Sequence, residues 1–571
     1  MSEAYALFYT YFLAAVRWIL PILAIFIVTL WFKTLRARKP QTGILAVLVG
    51  EDGTRYPITA AETSIGRRKS NDIVLALPTV ARQQAVLIRD ADGFVLQDLS
   101  GDENMEVDGA RLEKEAVVVP GDVISFGGYR THLVRATAHD LTSVAQKKHR
   151  PVAAPAFAPI LLLLSLFQML VGLELCLKYY DSLSPVIPLS FGALILCEWI
   201  TYFVNKAADA SMVIELPAFF LTTLGFAVCT TAAPNTLLKE LAASVAGFLV
   251  FILLSQILKH ISLTMKLRYF VGIVGVGLLA VNLVLAQSVF GAKNWIDLGF
   301  ITIQPSEFVK IAFVFAGAAT LDHLLSKRNF LLFLGMTGTI LLSLALMRDF
   351  GTASIFFVTM LIILFMRTGN LHLIALILVA AAAAIFLIIQ LMPYITARFA
   401  AWGHVWEFAD TSGYQQTRTM VAMGSGGLLG VGGGNGYLQG VFAADTDLVF
   451  GLIFEEWGGI VAFAALFCIL ALAIYALWMC RGVDSAYYAI AVCAAAGMLL
   501  FQTALNVFGS VDILPLTGVT MPFVSNGGSS IVASWGLLAF FKVADGQLSR
   551  RIAAQKQQAR ARAAARRTEG A

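Results

Sequence analysis

"FAPILLLLSLFQMLVGLELCL", residues 157–177, decides the fold. It is a predominantly apolar run, and a bilayer-spanning α-helix needs about 20 such residues to cross a hydrocarbon core roughly 30 Å thick. Similar stretches recur near 186–205, 211–231, 237–258, 267–288, 305–322, 329–347, 350–367, 371–392, 451–479, 486–508 and 526–544. With the first they make twelve expected spans. An earlier stretch, Trp18–Phe32, is followed at once by Lys33, Arg36, Arg38 and Lys39 and lacks the basic head of a signal peptide, so it reads as a retained anchor. The whole chain agrees. Its 571 residues are 58% hydrophobic and 13% charged, where a soluble domain carries roughly a quarter charged residues, and the mean hydropathy is +0.78. The reading is a polytopic α-helical membrane protein with about twelve spans after one N-terminal anchor helix. The net charge of +5 is then a topology signal and does not point to nucleic acid.

Residues 41–136 break this pattern. Short runs such as "ILAVLV", "DIVLAL", "AVLIRD" and "FVLQDL" are punctuated by Gly, Asp and Asn, the rhythm of a small β-sandwich. The expected organisation is an anchor at 1–40, an all-β domain at 41–136, a linker at 137–156, a membrane domain at 157–545 and a basic tail at 546–571. Lysines and arginines in "KHISLTMKLR" (259–268), "SKRN" (326–329), "MRTGN" (366–370), the β-domain flanks and the tail all fall on one side, which the positive-inside rule makes cytoplasmic. The loops at 289–304, 393–450 and 509–525 are then outside.

Polar residues collect towards that outer side. "IQPSEFVKIAFV" places Glu307 and Lys310 on one helix face, with Pro305 suited to the first helical position. Arg348 and Asp349 sit at an outer helix boundary. Asp445, Asp447, Glu455 and Glu456 lie where the long loop returns to the membrane, and Ser525, Asn526, Gly527 and Gly528 follow in "FVSNGGSS". Each ionisable group within a span costs roughly 2.5–3.5 kcal/mol on insertion scales, so these groups are expected to face a partner or a cavity. The alternative for Glu307 and Lys310 is a purely structural ion pair. The glycines of "GSGGLLGVGGGNG" lack the lysine of a phosphate-binding loop and suit tight turns. The six cysteines have no CxxC spacing and the seven histidines no HxxxH or HExxH spacing, so neither a disulfide framework nor a metal site is suggested.

In order along the chain, "GAKNWIDLGFITIQPSEFVK", "DFGTA", "GYQQTRTMVAMGSGGLLGVGGGNG", "TDLVFGLIFEEWGG" and "LPLTGVTMPFVSNGGSS" resemble the signatures of the SEDS family, whose members FtsW, RodA and SpoVE polymerise peptidoglycan from lipid II. Family members usually have ten spans with three before the "QPSE" helix. Five precede it here, which implies two additional helices besides the anchor. The resemblance implies inverting glycosyl transfer, in which a sugar 4-hydroxyl of one lipid II attacks the anomeric carbon of another and undecaprenyl pyrophosphate leaves. The family's base is an aspartate just before "GYQ". An ungapped alignment puts Phe408 there, so Asp410, or alternatively Glu407, is expected to serve. Expected substrate-binding residues are Lys293, Gln304, Glu307, Lys310, Asp349, Arg398, Gln415, Arg418, Glu455, Glu456, Ser525, Gly527 and Gly528. Where family members usually carry an arginine and a tyrosine, this chain has Asn294 and Asn526.

The β domain, through "TSIGRRKSNDIVL" and "VVPGDVISFGG", resembles a forkhead-associated (FHA) domain. That resemblance implies a phosphothreonine protein as partner, held by Arg67, Arg82 and Asn104 and helped by Lys69, with phosphate-independent docking as the alternative. Ala81 and Gln84 replace the usual serine and histidine. The expected protein is a peptidoglycan glycosyltransferase working beside a class B penicillin-binding protein. No cofactor is evident and a divalent cation is left open. The rival readings are a lipid II flippase and an inactive scaffold.

Overall fold

The computed structural model describes residues 3–39, 46–59, 62–68, 71–89, 94–101, 104–136, 156–182, 184–289, 292–299, 302–320, 327–391, 401–480, 482–483 and 485–569. Along the chain it divides into two compact units, one of Met1–Ala37, Ala153–Ala476 and Ile490–Gly546, the other of Arg38–Val152, Leu477–Ala489 and Gln547–Ala571.

In the second unit, eleven strands form a sandwich: β1 (Ala46–Gly50), β2 (Arg55–Ile58), β3 (Glu62–Gly66), β4 (Ile73–Val74), β5 (Ala85–Arg89), β6 (Phe94–Asp98), β7 (Met105–Val107), β8 (Ala110–Arg111), β9 (Glu115–Val118), β10 (Val123–Phe126) and β11 (Tyr129–Val134). One sheet has the order β2-β1-β11-β10-β7-β8 and the other β4-β3-β5-β6-β9. Alternation builds the core, because Leu48, Leu87, Leu96, Ile124, Phe126 and Leu133 all point between the sheets. Asp108–Gly109 and Gly127–Gly128 supply the positive φ angles that two-residue hairpins need.

The first unit is helical. Its helices are α1 (Glu3–Ala37), α2 (Phe157–Lys178), α3 (Val186–Ala207), α4 (Glu215–Ala232), α5 (Leu237–Leu258), α6 (Ile261–Leu285), α7 (Pro305–Thr320), α8 (Lys327–Leu346), α9 (Phe350–Thr368), α10 (Leu371–Leu391), α11 (Tyr414–Gly426), α12 (Val449–Trp457), α13 (Gly459–Met479), α14 (Ala486–Ser510) and α15, which begins at Gly528. Eleven helices among the described residues are long and apolar enough to cross a membrane, and in a bilayer the helix satisfies every backbone group internally. Each of the thirteen expected spans has a helix. The two that fall short of crossing length are α7, with 16 residues, and α10, whose qualifying apolar segment is Leu371–Leu387.

Three local differences from the sequence reading have physical causes. The span expected at 451–479 is two helices, α12 and α13, divided at Gly458. This residue has φ +90°, and a Cβ there would lie 2.3 Å from the Leu428 carbonyl oxygen. The segment expected as an outer loop at 289–304 carries strands: β12 (Gln287–Val289), β13 (Ala292–Asp297) and β14 (Thr302–Ile303) pair as an antiparallel sheet. The basic tail does not start a new element, because α15 runs unbroken from Gly528 to Glu569, as expected of an Ala-, Arg- and Gln-rich segment with high helix propensity.

α4 is the most enclosed helix, buried along nearly its whole length. Phe219 packs edge-on to Trp535 of α15. A Cβ on Gly225 would sit 2.7 Å from the Phe523 carbonyl oxygen.

Candidate active site

α7 begins with Pro305, which needs no amide partner at a first helical position. One turn on, Lys310 Nζ lies 2.7 Å from Glu307 Oε1, and both side chains are buried. An enclosed ion pair is favourable only where its remaining hydrogen-bonding capacity is also met, and here α14 meets it. Lys310 Nζ donates to Gln502 Oε1 at 2.8 Å. Gln502 Nε2 in turn donates to the Thr520 carbonyl at 2.8 Å, and Thr520 Oγ1 lies 2.8 Å from Ser530 Oγ. The Gln304 amide donates to Ser529 Oγ at 3.1 Å, and Gln304 Nε2 donates to Ser306 Oγ.

Asp349 joins this group as the N-cap of α9, its Oδ1 accepting from the Thr352 amide at 3.0 Å. Its Oδ2 is buried without a hydrogen-bond partner among the described residues. Burial pushes its carboxyl above the ordinary range, while the Thr352 amide and Lys310 pull the other way. Just before it, Arg348 takes a left-handed φ of +63° to turn the chain into α9.

A second group adjoins the first through the start of α15. The Asn526 amide donates to the Asp445 carbonyl at 2.8 Å. Its side-chain Nδ2 reaches Asp445 Oδ2 at 2.7 Å and Thr236 Oγ1 at 2.9 Å. Ser525 Oγ donates to the Thr446 carbonyl, and Asn506 Nδ2 donates to the carbonyls of Asp447 and Val519. Gly527 and Gly528 follow directly, and the Gly527 carbonyl accepts the first α15 hydrogen bond, from Ile531.

The third group is the loop before α13. Residues 405–413 form successive turns, anchored upstream by Trp402 Nε1 on the Ile513 carbonyl and by the Gly403 amide on Asp512 Oδ1. Glu407 is exposed, 3.7 Å from His404 Nδ1. Asp410 is exposed too. In α11, Gln415 Nε2 donates to the Phe442 carbonyl at 2.9 Å, Arg418 stacks over the Tyr414 ring at 5.0 Å, and Tyr437 donates its hydroxyl to the Arg418 carbonyl. Glu455 accepts the amides of Tyr437 and Leu438 at 3.1 and 3.0 Å. Glu456 is fully buried, and neither of its carboxylate oxygens meets hydrogen-bond geometry with a described residue.

Gln304, Glu307, Lys310 and Asp349 therefore come together, next to Ser525, Gly527 and Gly528, while Gln415, Arg418 and Glu455 gather in the loop. Lys293 stands apart: its side chain is exposed and its amide pairs with the Met347 carbonyl. Arg398 and Lys69 lie outside the described residues. Sequence reasoning missed Gln502, Thr520 and Asn506. Gln502 and Asn506 were legible as two amides at i and i+4 within an apolar helix, a spacing that puts both on one face.

On the β-sandwich, the Arg67 amide pairs with the Ala81 carbonyl and the Arg68 amide with the Arg82 carbonyl, so the two arginine-bearing loops run side by side. Asn71, nearly buried, ties the same loops by donating to the Arg68 and Arg82 carbonyls. Arg67, Arg82 and Asn104 are exposed. Gln84 is buried beneath the arginine loops, accepting from the Ala81 amide and donating to Ser100 Oγ.

A family model described as "Cell cycle protein", for FtsW, RodA and SpoVE, matches residues 206–548, well over half of the chain. The chain belongs to the FtsW/RodA/SpoVE family. The matched region holds α4 to α14 and the first half of α15, and α1, α2 and all but the last two residues of α3 lie before it. An FHA domain model matches residues 63–127. Among curated relatives, the "Probable peptidoglycan glycosyltransferase FtsW" of Buchnera aphidicola subsp. Acyrthosiphon pisum is 32% identical over 270 residues, 46% of this chain and 68% of that one. The protein of the same description from Escherichia coli O6:H1 is 34% identical over 268 residues, 45% of this chain and 64% of that one. The match thus spans about two thirds of these FtsW proteins. A solved peptidoglycan synthase complex that coordinates polymerization and crosslinking contains a chain similar in fold, with a TM-score of 0.50 and 24% identity over 60% of this chain and 98% of that one.

Proposed function

We propose that this protein is a peptidoglycan glycosyltransferase that polymerises lipid II at the outer face of the cytoplasmic membrane. The observation that carries the reading is the linked polar assembly of Glu307, Lys310, Gln502, Thr520 and Ser530 within an FtsW/RodA/SpoVE-family fold. In the reaction a sugar 4-hydroxyl attacks the anomeric carbon of a second lipid II, the C–O bond to pyrophosphate breaks, and undecaprenyl pyrophosphate leaves. A base takes the hydroxyl proton, and cationic or hydrogen-bonding groups steady the charge growing on the leaving phosphate. Asp410 is the proposed base. It is exposed at the start of the loop whose other end packs on Glu455, where a bound substrate could reach it. Lys310 is the buried cation of the assembly, and a divalent cation beside Asp349 would serve the same charge. The proposed partner in the membrane is a class B penicillin-binding protein. For the β-sandwich it is a phosphothreonine protein on Arg67, Arg82 and Asn104, with that domain on the cytoplasmic side.

The test is polymer length from lipid II on a gel. Asp410→Asn keeps the size of the side chain but cannot accept the proton, so polymerisation should fall by about 10²–10⁴-fold. Glu407→Gln, which removes the same charge nearby, should stay close to wild type. The reverse pattern moves the role to Glu407. No polymer from the wild type, alone or with a transpeptidase partner, would leave the scaffold reading in its place.

A further inference from the structure

The glycine-rich segment Gly430–Gly436 lies inside the family match, yet several of the groups that hold it come from helices before that match. Its own half of the contact is backbone: the Val431 and Gly432 amides donate to the carbonyls of Glu455 and Glu456, both at 2.8 Å. On the opposite side stands Glu174 of α2, buried between α2 and the loop. Its Oε1 accepts the Gly433 amide at 2.7 Å and its Oε2 accepts Trp457 Nε1 at 3.2 Å. One carboxylate thus joins the loop to the last residue of α12. Four residues on, Lys178 Nζ donates to Asn435 Oδ1 at 2.5 Å, while Asn435 Nδ2 reaches Tyr9 Oη of α1 at 3.4 Å. The segment lies close against both helices. A Cβ on Gly432 would lie 2.4 Å from Leu13 Cδ1 of α1, and one on Gly433 3.1 Å from Leu175 Cδ2 of α2.

We propose that Glu174, with Lys178 and Tyr9, is a positioning residue for glycosyl transfer: α1 and α2 clamp the glycine-rich segment and so fix the α11–α12 block that carries the proposed catalytic loop. The chain of contact is continuous. Glu174 fixes Gly433 and Trp457, the segment's amides fix the end of α12, Glu455 of α12 holds the amides of Tyr437 and Leu438, and Tyr437 holds α11 through the Arg418 carbonyl. α11 begins at Tyr414, four residues after Asp410. Two hydrogen bonds, from the Gly433 amide and the Trp457 indole, meet both oxygens of this buried carboxylate.

This inference rests on the glycosyltransferase reading, and its test separates the two. Full-length protein in nanodiscs would be compared as wild type, Glu174→Leu, Glu174→Gln and Lys178→Met. Initial rates of lipid II polymerisation would be read alongside hydrogen exchange of residues 430–437 and the thermal midpoint. Glu174→Leu should lower kcat by about tenfold or more, the scale on which remote misplacement acts, with faster exchange confined to 430–437 and little change in the midpoint. Glu174→Gln keeps an acceptor for the Gly433 amide and should recover most of the rate. Lys178→Met should fall between them. Wild-type rate and exchange in Glu174→Leu would overturn the proposal. So would a rate loss matched by a collapse of the midpoint, since that marks a purely structural role. If the wild type makes no polymer, the glycosyltransferase reading fails, while the exchange measurement still decides whether Glu174 holds the loop.

Discussion

At the scale of single residues, two positions make opposite kinds of demand. Gly432 has φ +99° and Leu13 of α1 in the place a Cβ would take. An L-residue there meets left-handed strain, roughly 1–2 kcal/mol, and has to displace the Leu13 methyl. Gly424, by contrast, sits within α11 with nothing in its Cβ position, where alanine is the better helix former. Gly432→Ala should therefore lose most polymerising activity while Gly424→Ala keeps it, as a gel assay of lipid II products will tell. Arg67 is the converse case, an exposed side chain with little folding role. Among the described residues its guanidinium reaches only the Pro78 carbonyl, at 3.4 Å. Arg67→Ala should leave the melting of the sandwich within about 0.5 kcal/mol of wild type. It should weaken any phosphothreonine-peptide binding measured by calorimetry by about tenfold or more, because a phosphate–guanidinium pair is a strong, charge-assisted one. Unchanged peptide affinity would favour docking that does not depend on phosphate.

At the scale of elements, the ion pair that α7 presents to α14 is the most exacting. Lys310→Met leaves Glu307 buried without its cation and should destabilise the helical unit by about 3–5 kcal/mol. Adding Glu307→Gln should return part of that, read as the midpoint of thermal unfolding in detergent. If the single variant is as stable as wild type, water reaches the pair and the site is more open than these contacts indicate. Helix placement was legible from the sequence because a spanning helix is a long apolar run, and the positions of Glu307 and Lys310 followed from their spacing. The break at Gly458 was not legible. The apolar run continues through it, and only the neighbouring backbone of Leu428 and Leu429, thirty residues earlier in sequence, forces the chain apart. Glu174 was hidden for a related reason: its partners, a glycine amide and the Trp457 indole, lie more than 250 residues away. An acid inside an apolar run was the signal available, and by itself it names no partner.

At the scale of the whole molecule, the proposed topology puts both the β-sandwich and the tail on the cytoplasmic side. In intact cells an impermeant thiol reagent should label Ser412→Cys in the 405–413 turns and leave Glu113→Cys on the sandwich unlabelled. Equal labelling of the two would remove the proposed topology and, with it, access of the loop to an outer substrate. The enclosure of α4 also carries a consequence for how the protein is made. α4 is translated early, yet the groups that cover it include Phe523, Val524 and Trp535, which leave the ribosome some three hundred residues later. Until they arrive, a helix bearing Thr222, Thr223, Thr230 and Thr231 waits in the bilayer with one side unfilled. Biogenesis of the membrane unit is therefore completed from its carboxyl end, and a nascent chain released before α15 would present α4 to membrane quality control.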